Sequence, residues 1–453
     1  MEGFSFDSLF RLVEENRLKQ LREELLEWNV VDIAEFLQEL SVDKLLLIFR
    51  ILPKSVAAEV FAYLESDNQA KIVDSISDSE LSYLVEELYV DDAVDFLEEV
   101  PASVVRRVLQ SATPETREVI NRVLEYPDNS AGSVMTTEFV EFHTRFTVKQ
   151  AIDHIRKNGV DKETINTCYV INDHRKLKGV LTLRQLLLAE DDTLIKDIMT
   201  DDQQVISVGT HDDQEEVADM ARKYDLLSVP VVDHENRLVG IITIDDIVDI
   251  IEEENTEDME KMALVVPSED TYLKSSVFNH AKSRILWLMI LMLTSTLTAQ
   301  IITGFEEGLA AVTGLTACIP MLMGTGGNAG NQTSTLIIRG LALGELTVKD
   351  YLKILWKELR VSILCGVALA IANFGRMWLL KGIQPAELET IFVVCAAMLC
   401  TVVVAKVIGC TLPIAVKLIH LDPALMAGPM ITTIVDAVSL ILYFALAKAW
   451  LPM

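Results

Sequence analysis

The chain has 453 residues, too many for one hydrophobic core, so several domains are expected. Its net charge of −29 is unevenly distributed: 59 of the 68 acidic residues precede His280, whereas the chain from His280 onward holds 12 basic and 9 acidic residues. The acidic first part excludes nucleic acid as an expected partner, because nucleic-acid binding requires a basic surface. It suits cations, or it only keeps the protein soluble.

Residues 1–130 predict an acidic all-α domain. Apolar residues recur at helical spacing in VVDIAEFLQEL, SVAAEVFAYLE and DDAVDFLEEV, and prolines separate the segments. The segments resemble one another at Ile33, Ala57 and Ala93. A small helical superhelix is therefore expected.

Residues 131–196 and 197–255 repeat one pattern. Each copy runs Met-Thr, short strand, amphipathic helix, then strand–turn–strand–helix, and the copies begin at Val134 and Ile198. Internal repetition indicates two copies of one α/β module. The pair resembles a tandem cystathionine-β-synthase (CBS) domain, a regulatory module that pairs into a disc and often binds adenosyl ligands.

The CBS resemblance implies at most one intact nucleotide site. Thr243 and Asp246 keep the spacing that these modules use to bind ribose. In the first copy, Thr182 is followed by Gln185 instead of an acid. An adenosyl nucleotide such as ATP is the expected ligand.

The segment DDIVDIIEEENTEDME, residues 245–260, holds nine acidic residues and no basic one. Asp246, Asp249, Glu253 and Glu257 are spaced by three and four residues, so they share one helix face and repel one another. One interpretation is a solvated face. The other is a cation-controlled element, because the segment leads through a connecting (plug) helix predicted over 256–280 into a membrane domain.

Residues 281–453 predict five transmembrane helices. Apolar stretches at about 285–305, 309–337, 359–380, 391–419 and 424–451 each hold the ~20 apolar residues that span a bilayer. Basic residues precede the first stretch and fill the linker between the second and third, whereas the linker GFEEGL has none. The positive-inside rule places the N-terminus in the cytoplasm and the C-terminus outside the cell membrane.

Asp436 is the only acid expected deep in a span, where a charge costs about 2.5–3.5 kcal/mol. An acid kept at such a cost indicates a functional role for Asp436. The structural alternative is that Asp436 is a buried acid paired with Lys406 of the fourth span. Lys406 itself either snorkels to the membrane surface or faces the protein interior.

The second span contains PMLMGTGGNAGNQTST, residues 320–335, which lacks the GK[ST] ending of a nucleotide-binding loop. Non-helical backbone here, with Asn328, Asn331, Gln332 and Thr333, offers oxygens to an ion path. The alternative is close helix packing through small residues. The residues alone favour neither.

In this order, the domains resemble the MgtE family of magnesium transporters and channels over nearly the whole chain. The most specific marks are GTGGNAGNQ and the DPAL…VD arrangement at Asp422 and Asp436. The resemblance implies a homodimer whose second and fifth helices line a pore on the two-fold axis. It also implies that the two Asp436 carboxylates, with Asn328 and Asn331, bind hydrated Mg²⁺, which dehydrates reluctantly.

The resemblance further implies a set of regulatory Mg²⁺ ligands, all of which are carboxylates here. They are Glu59, Asp91, Asp95 and Glu99 in the helical domain, Asp213, Glu215 and Asp225 in the second CBS module, Asp246, Asp249, Glu254, Glu257 and Asp258 on and after its last helix, and Asp422 at the start of the fifth span. Two positions depart from the expected pattern. Arg222 places a basic residue among the acids, and Gly428 replaces an expected asparagine.

The expected function is a Mg²⁺-selective transporter or channel that conducts Mg²⁺ down its gradient and closes when Mg²⁺ binds the acidic domains. The alternative is a CBS-regulated transporter of another divalent cation, such as Mn²⁺ or Co²⁺, or of a different ion. An acid in the expected pore and no basic pore residue disfavour an anion. An enzyme is not expected, because no histidine, nucleophile or nucleotide motif accompanies Asp436.

Overall fold

A computed structural model describes residues 6–201, 203–268, 272–273, 275–305, 315–381, 385–426 and 428–451. The chain divides into two compact units, Met1–Glu252 and Glu253–Met453. The first unit holds a helical domain and an α/β pair, and the second holds long apolar helices. The expected fold class is therefore confirmed.

Ten short helices form the described part of the first domain, which begins at residue 6. They are α1 (Asp7–Glu14), α2 (Leu18–Leu25), α3 (Val30–Gln38), α4 (Val42–Ile51), α5 (Lys54–Ala62), α6 (Ser66–Ser75), α7 (Asp78–Glu87), α8 (Val90–Glu99), α9 (Ala102–Ser111) and α10 (Pro114–Val123). Each buries one apolar face, as its periodicity predicts. Phe61 of α5 and Phe96 of α8 meet edge to face, with ring centroids 5.2 Å apart.

Local capping explains where several of these helices begin. Ser77 and Glu80 form a reciprocal capping box at the start of α7. Thr113 caps α10, whose first residue is Pro114. Because each cap satisfies backbone N–H groups that have no partner within the helix, the chain can turn sharply between short helices.

The CBS pair contains two sheets with helices against them. Its elements are β1 (Glu141–His143), α11 (Val148–Asn158), β2 (Thr167–Ile171), β3 (Leu177–Thr182), α12 (Leu183–Leu188), α13 (Ile195–Ile198), β4 (Thr200–Asp201), β5 (Val208–Gly209), α14 (Gln214–Tyr224), β6 (Ser228–Val232), β7 (Leu238–Thr243) and α15 (Ile244–Met262). The sheet orders are β1-β2-β3-β4 and β5-β6-β7. In both, the first strand pair is parallel and the second is antiparallel.

Each Met-Thr segment docks on the other module. Thr136, at the start of the first module, pairs with Ile241 in the second, and Thr200, at the start of the second module, pairs with Val180 of β3 in the first. Gly240 and Gly179 permit this approach. A Cβ on Gly240 would lie 2.8 Å from the Thr136 carbonyl oxygen, and a Cβ on Gly179 would lie 2.6 Å from that of Thr200.

The second unit contains five long helices within its described residues, one for each predicted apolar stretch. They are α16 (Val277–Gly304), α17 (Leu315–Ala342), α18 (Tyr351–Lys381), α19 (Pro385–Leu418) and α20 (Pro429–Trp450). By length and composition, α16, α19 and α20 are able to cross a membrane. Helix α19 packs against α17, α18 and α20, whereas α16 packs against α20 and has no fully buried residue.

The segment predicted as a connecting helix, residues 256–280, contains the end of α15 and the start of α16 within the described residues. Helix α15 continues from the second CBS module to Met262, because no glycine or proline interrupts it. It ends where Leu264 adopts a φ of +55°, and Pro267 follows. Helix α16 then begins at Val277, capped by the Ser276 hydroxyl.

Candidate functional site

Asp436 lies in the third turn of α20 and is partly buried. Its Oδ1 is buried and accepts no hydrogen bond from any group in the described ranges. A buried polar atom without a partner is costly and rare in folded proteins. The carboxylate therefore has a free oxygen of the hard type that Mg²⁺ prefers.

Lys406 is not the partner of Asp436, so the structural alternative for that acid is not supported. The Lys406 ammonium donates to Thr333 Oγ1 at 3.0 Å and to Glu358 Oε2 at 3.5 Å. Thr333 Oγ1 in turn donates to Glu358 Oε2 at 3.0 Å. Lys406 is 7% exposed and faces the protein interior. Its counter-ion, Glu358, is a second partly buried acid, which sequence reasoning placed outside the spans.

The Gly-rich segment is helical throughout, so the expectation of non-helical backbone is wrong. Its glycines bring α17 close to α19 and α20. A Cβ added to Gly326 would lie 2.7 Å from Thr401 Cγ2. A Cβ added to Gly327 would lie 2.8 Å from Thr432 Cγ2, and one added to Gly330 would lie 2.9 Å from Ile431 Cγ2. These three glycines serve close packing, as one of the two interpretations predicts.

The two asparagines predicted as ion ligands have different surroundings. Asn328 is exposed in the single chain. Asn331 is partly buried, and its Oδ1 accepts a hydrogen bond from the Gly428 N–H at 3.0 Å. Gly428 has a φ of +47°, which an asparagine side chain tolerates less well than glycine does. Asn331 thus holds the N-terminus of α20 against α17.

The predicted acids at the end of α15 surround a lysine that sequence reasoning missed. Lys261 Nζ lies 2.8 Å from Glu257 Oε1 and 2.9 Å from Asp422 Oδ2. Burial, and then the charge of Asp422, raises the pKa of the neighbouring Asp258. The signal for Lys261 was its position, directly after the acidic segment 245–260.

A second group of acids lies within the first unit. Asp91 of α8 is 8% exposed, and burial and the charges of Asp92 and Asp246 raise its pKa. Burial, and then the charges of Asp246 and Asp245, raises the pKa of Asp92 to about 6. Burial also raises the pKa of Asp246 to about 6. These acids come from the helical domain and the second CBS module, and they repel one another.

Glu163, which sequence reasoning missed, belongs to the same group. It follows α11 in the first CBS module, and its Oε2 is buried without a hydrogen-bond partner among the described residues. Burial and the charges of Asp245 and Asp92 raise its pKa to about 8. No feature of the sequence near 163 marks it, because its environment is created by distant segments.

Other predicted acids have structural roles in the second CBS module. Asp213 caps α14 by accepting from the Glu215 N–H at 2.9 Å. Asp225 ends the same helix in a left-handed conformation, with a φ of +52°. Arg222 lies 2.5 Å from Asp219 Oδ1, so its charge is already engaged by a neighbour on α14.

The remaining predicted acids occupy three helices. Glu59 is on α5, Asp95 and Glu99 are on α8, and Asp249 and Glu254 are on α15. Within the described ranges, no three acidic, histidine or cysteine side chains form a preassembled metal site.

The Thr243 and Asp246 pair differs from its counterpart in the first module. Thr243 Oγ1 donates to Asp246 Oδ2 at 2.8 Å. In the first module, Thr182 and Gln185 form a capping box, in which Gln185 Oε1 accepts from the Thr182 N–H at 2.7 Å. Only the second pair presents a carboxylate, which is the group that binds ribose hydroxyls in nucleotide sites.

Three family profiles match the chain. The profile for divalent cation transporters, MgtE, matches residues 319–446, and the MgtE intracellular N domain matches 28–129. The CBS domain matches 131–192 and 195–253. Together they cover both units.

Curated proteins named magnesium transporter MgtE are similar over nearly their full length. The protein from Thermus thermophilus is 35% identical, covering 97% of each chain. The protein from Enterococcus faecalis is 32% identical, covering 98% of this chain and 97% of its own. The protein from Bacillus subtilis is 31% identical, covering 93% and 95%.

Two solved structures are similar to about half of this chain. The soluble part of a magnesium transporter is 34% identical, with a TM-score of 0.52, covering 55% of this chain and 97% of that one. The cytosolic domain of the Mg²⁺ channel MgtE in complex with ATP is 36% identical, with a TM-score of 0.51, covering 54% and 100%.

Proposed function

Since this chain belongs to the MgtE family of divalent cation transporters, we propose that it is a Mg²⁺-selective transporter or channel. It conducts Mg²⁺ down its electrochemical gradient and closes when Mg²⁺ binds its acidic domains. The observation that carries this proposal is the unpartnered Asp436 carboxyl oxygen on an apolar helix. An acid kept there without a partner is explained by a cation that passes it.

Two copies of Asp436 would suit a hydrated ion better than one. In a homodimer with α20 near the two-fold axis, two carboxylates face the same water-filled path. They bind Mg²⁺ through its waters, and moderate binding of this kind allows the ion to leave again. Asn328, exposed in the single chain, and Asn331 supply further oxygens along α17.

Transport, and not catalysis, is the proposed activity, and Mg²⁺ is favoured over Mn²⁺, Co²⁺ or another ion. The support is that three relatives, at 31–35% identity over nearly the whole chain, are named magnesium transporters. The protein sits in the cell membrane as a multi-pass dimer. Its N-terminus is cytoplasmic and its C-terminus lies outside.

Mg²⁺ closes the path by offsetting repulsion among the acids. Asp91 and Asp92 come from the helical domain and Asp246 from the second CBS module. Burial first, and then the charge of Asp246 among others, raises the pKa values of Asp91 and Asp92. Mg²⁺ bridging such carboxylates favours one compact arrangement, so the ligand acts through its higher affinity for that state. ATP binds the CBS pair through Thr243 and Asp246, in keeping with the ATP complex of the similar cytosolic domain.

The test is Asp436→Asn in the full chain reconstituted in liposomes. The substitution keeps the shape and removes the charge, so we expect Mg²⁺ flux to fall by at least about tenfold, the effect of losing one charge-assisted contact of about 1.4 kcal/mol or more. The matched control is Glu345→Gln, an exposed acid in the α17–α18 linker, which should leave flux unchanged. Wild-type flux in Asp436→Asn, with unchanged oligomeric state, would overturn the assignment.

A further inference from the structure

Lys261 occupies the place in the second unit where the predicted regulatory acids would hold a cation. It lies in the last turn of α15, and its ammonium bridges Glu257 of that helix and Asp422, which precedes α20. Both N–O distances are under 3 Å, at 2.8 and 2.9 Å, and the lysine side chain is 23% exposed. The contact joins residues 161 positions apart, so it is a tertiary link.

The same link is supported by apolar and backbone contacts. Met262, the next residue, packs against the buried Ile338 of α17 and Ala424. Its carbonyl oxygen lies 3.0 Å from where a Cβ on Gly428 would be. Gly428 donates in turn to Asn331. The end of α15 therefore contacts both helices that are proposed to line the ion path.

At this junction the carboxylates of Glu257, Asp258 and Asp422 outnumber the single ammonium of Lys261. Asp258 follows Glu257 in the chain; burial, and then the charge of Asp422, raises the pKa of Asp258, whereas the charge of Lys261 lowers it. Without Lys261, Glu257 and Asp422 would lose the ammonium that lies within 3 Å of both. Repulsion would then separate the end of α15 from the start of α20.

We propose that Lys261 is a built-in cation that holds the end of α15 on the start of α20, so that this junction closes without a divalent ion. The inference rests on the proposed function, because it concerns how the Mg²⁺-closed state is held. A tethered ammonium is always present at the site, whereas Mg²⁺ must be recruited from solution. Lys261 is thus a positioning residue: it acts through Asp422 on the mouth of the path.

The test measures the Mg²⁺ concentration that closes the full-length channel by half. In Lys261→Met, closure depends on Mg²⁺ alone, so we expect the half-closing concentration to rise about threefold, the scale of one partly exposed ion pair. Lys261→Arg keeps the charge and should restore the wild-type value. Lys349→Met, at an exposed lysine of the α17–α18 linker, is the matched control.

A double-variant comparison separates the link from a general loss of stability. Asp422→Asn should also raise the half-closing concentration, and adding Lys261→Met should change it by less than the two single effects combined. An unchanged or lower half-closing concentration in Lys261→Met would overturn the proposal, since the ammonium would then be idle or compete with Mg²⁺. A wild-type channel that Mg²⁺ does not close would instead refute the proposed function.

Discussion

Gly324 and Gly327 stand three positions apart on α17 and have opposite surroundings. A Cβ on Gly327 would press on Thr432 of α20, whereas a Cβ on Gly324 would meet no atom within 4 Å. Glycine costs about 1 kcal/mol relative to alanine in a helix, so a glycine is worth keeping only where its lack of a side chain is used. By that criterion Gly327 is required for packing within one chain and Gly324 is not.

The first prediction compares these two glycines. Gly327→Ala should lower the free energy of unfolding by about 1–3 kcal/mol, because the added methyl overpacks the α17–α20 contact. Gly324→Ala should be neutral or stabilise by up to about 1 kcal/mol. Thermal unfolding of the detergent-solubilised protein measures both. Equal loss of stability in the two variants would contradict the packing assignment.

At the scale of the helices, the buried group of Thr333, Glu358 and Lys406 connects α17, α18 and α19. It places an ion pair inside a unit made of apolar helices, where removing one partner leaves an uncompensated charge. Its three contacts also hold α17 in one rotational position. That position determines which way Asn328 and Asn331 project.

The second prediction concerns this ion pair. Lys406→Met should destabilise the protein by about 3–5 kcal/mol, because Glu358 is left buried and unpaired. The double variant Lys406→Met, Glu358→Leu should recover most of that loss, since it removes both charges. Thermal unfolding measures the loss, and Mg²⁺ flux shows whether α17 keeps its position. A double variant as unstable as the single one would show that the pair is not the source of the effect.

The helices and both modules could be predicted from sequence because their signals are local. Periodicity, prolines and capping residues such as Ser77 act within a few positions, and the repeat marks the CBS copies directly. The pairing of Lys406 with Glu358, and of Lys261 with Asp422, joins residues that are distant in the chain. One-dimensional patterns show that such charges are unusual, but not which opposite charge each will meet.

At the scale of the whole molecule, the acids of the first unit make stability depend on pH. The pKa of Glu163 is raised to about 8, and those of Asp92 and Asp246 to about 6, above ordinary carboxyl values near 4. Between about pH 4 and pH 8 the folded chain therefore binds more protons than the unfolded chain. The stability of the folded state falls as pH rises through this window.

The third prediction follows from that sign. Without Mg²⁺ and at low ionic strength, protease should cleave near residue 130 faster at pH 8 than at pH 5.5, because ionised acids force the domains apart. Glu163→Gln should slow cleavage at pH 8 and flatten the pH dependence. Asp192→Asn, at an exposed acid of the same module, is the matched control and should change neither.

Mg²⁺ should also protect this linker at pH 8, since it replaces protons as the partner of the carboxylates. Monovalent salt at the same ionic strength separates bridging from simple screening. If NaCl alone reproduces the full protection, the acids are only a solvated surface. The gating proposal would then lose its support in the first unit.

The crossed Met-Thr segments determine how this chain can be recombined with a relative. If one module of this chain were joined to the other module of a relative, the segments at Thr136 and Thr200 would each dock on a module from the other protein. Gly179 and Gly240 would then be approached by a Met-Thr segment that did not come from the same protein. Exchanging residues 131–253 as one block keeps both contacts within one protein. The pair is therefore a single exchangeable unit, although its sequence contains two copies of one pattern.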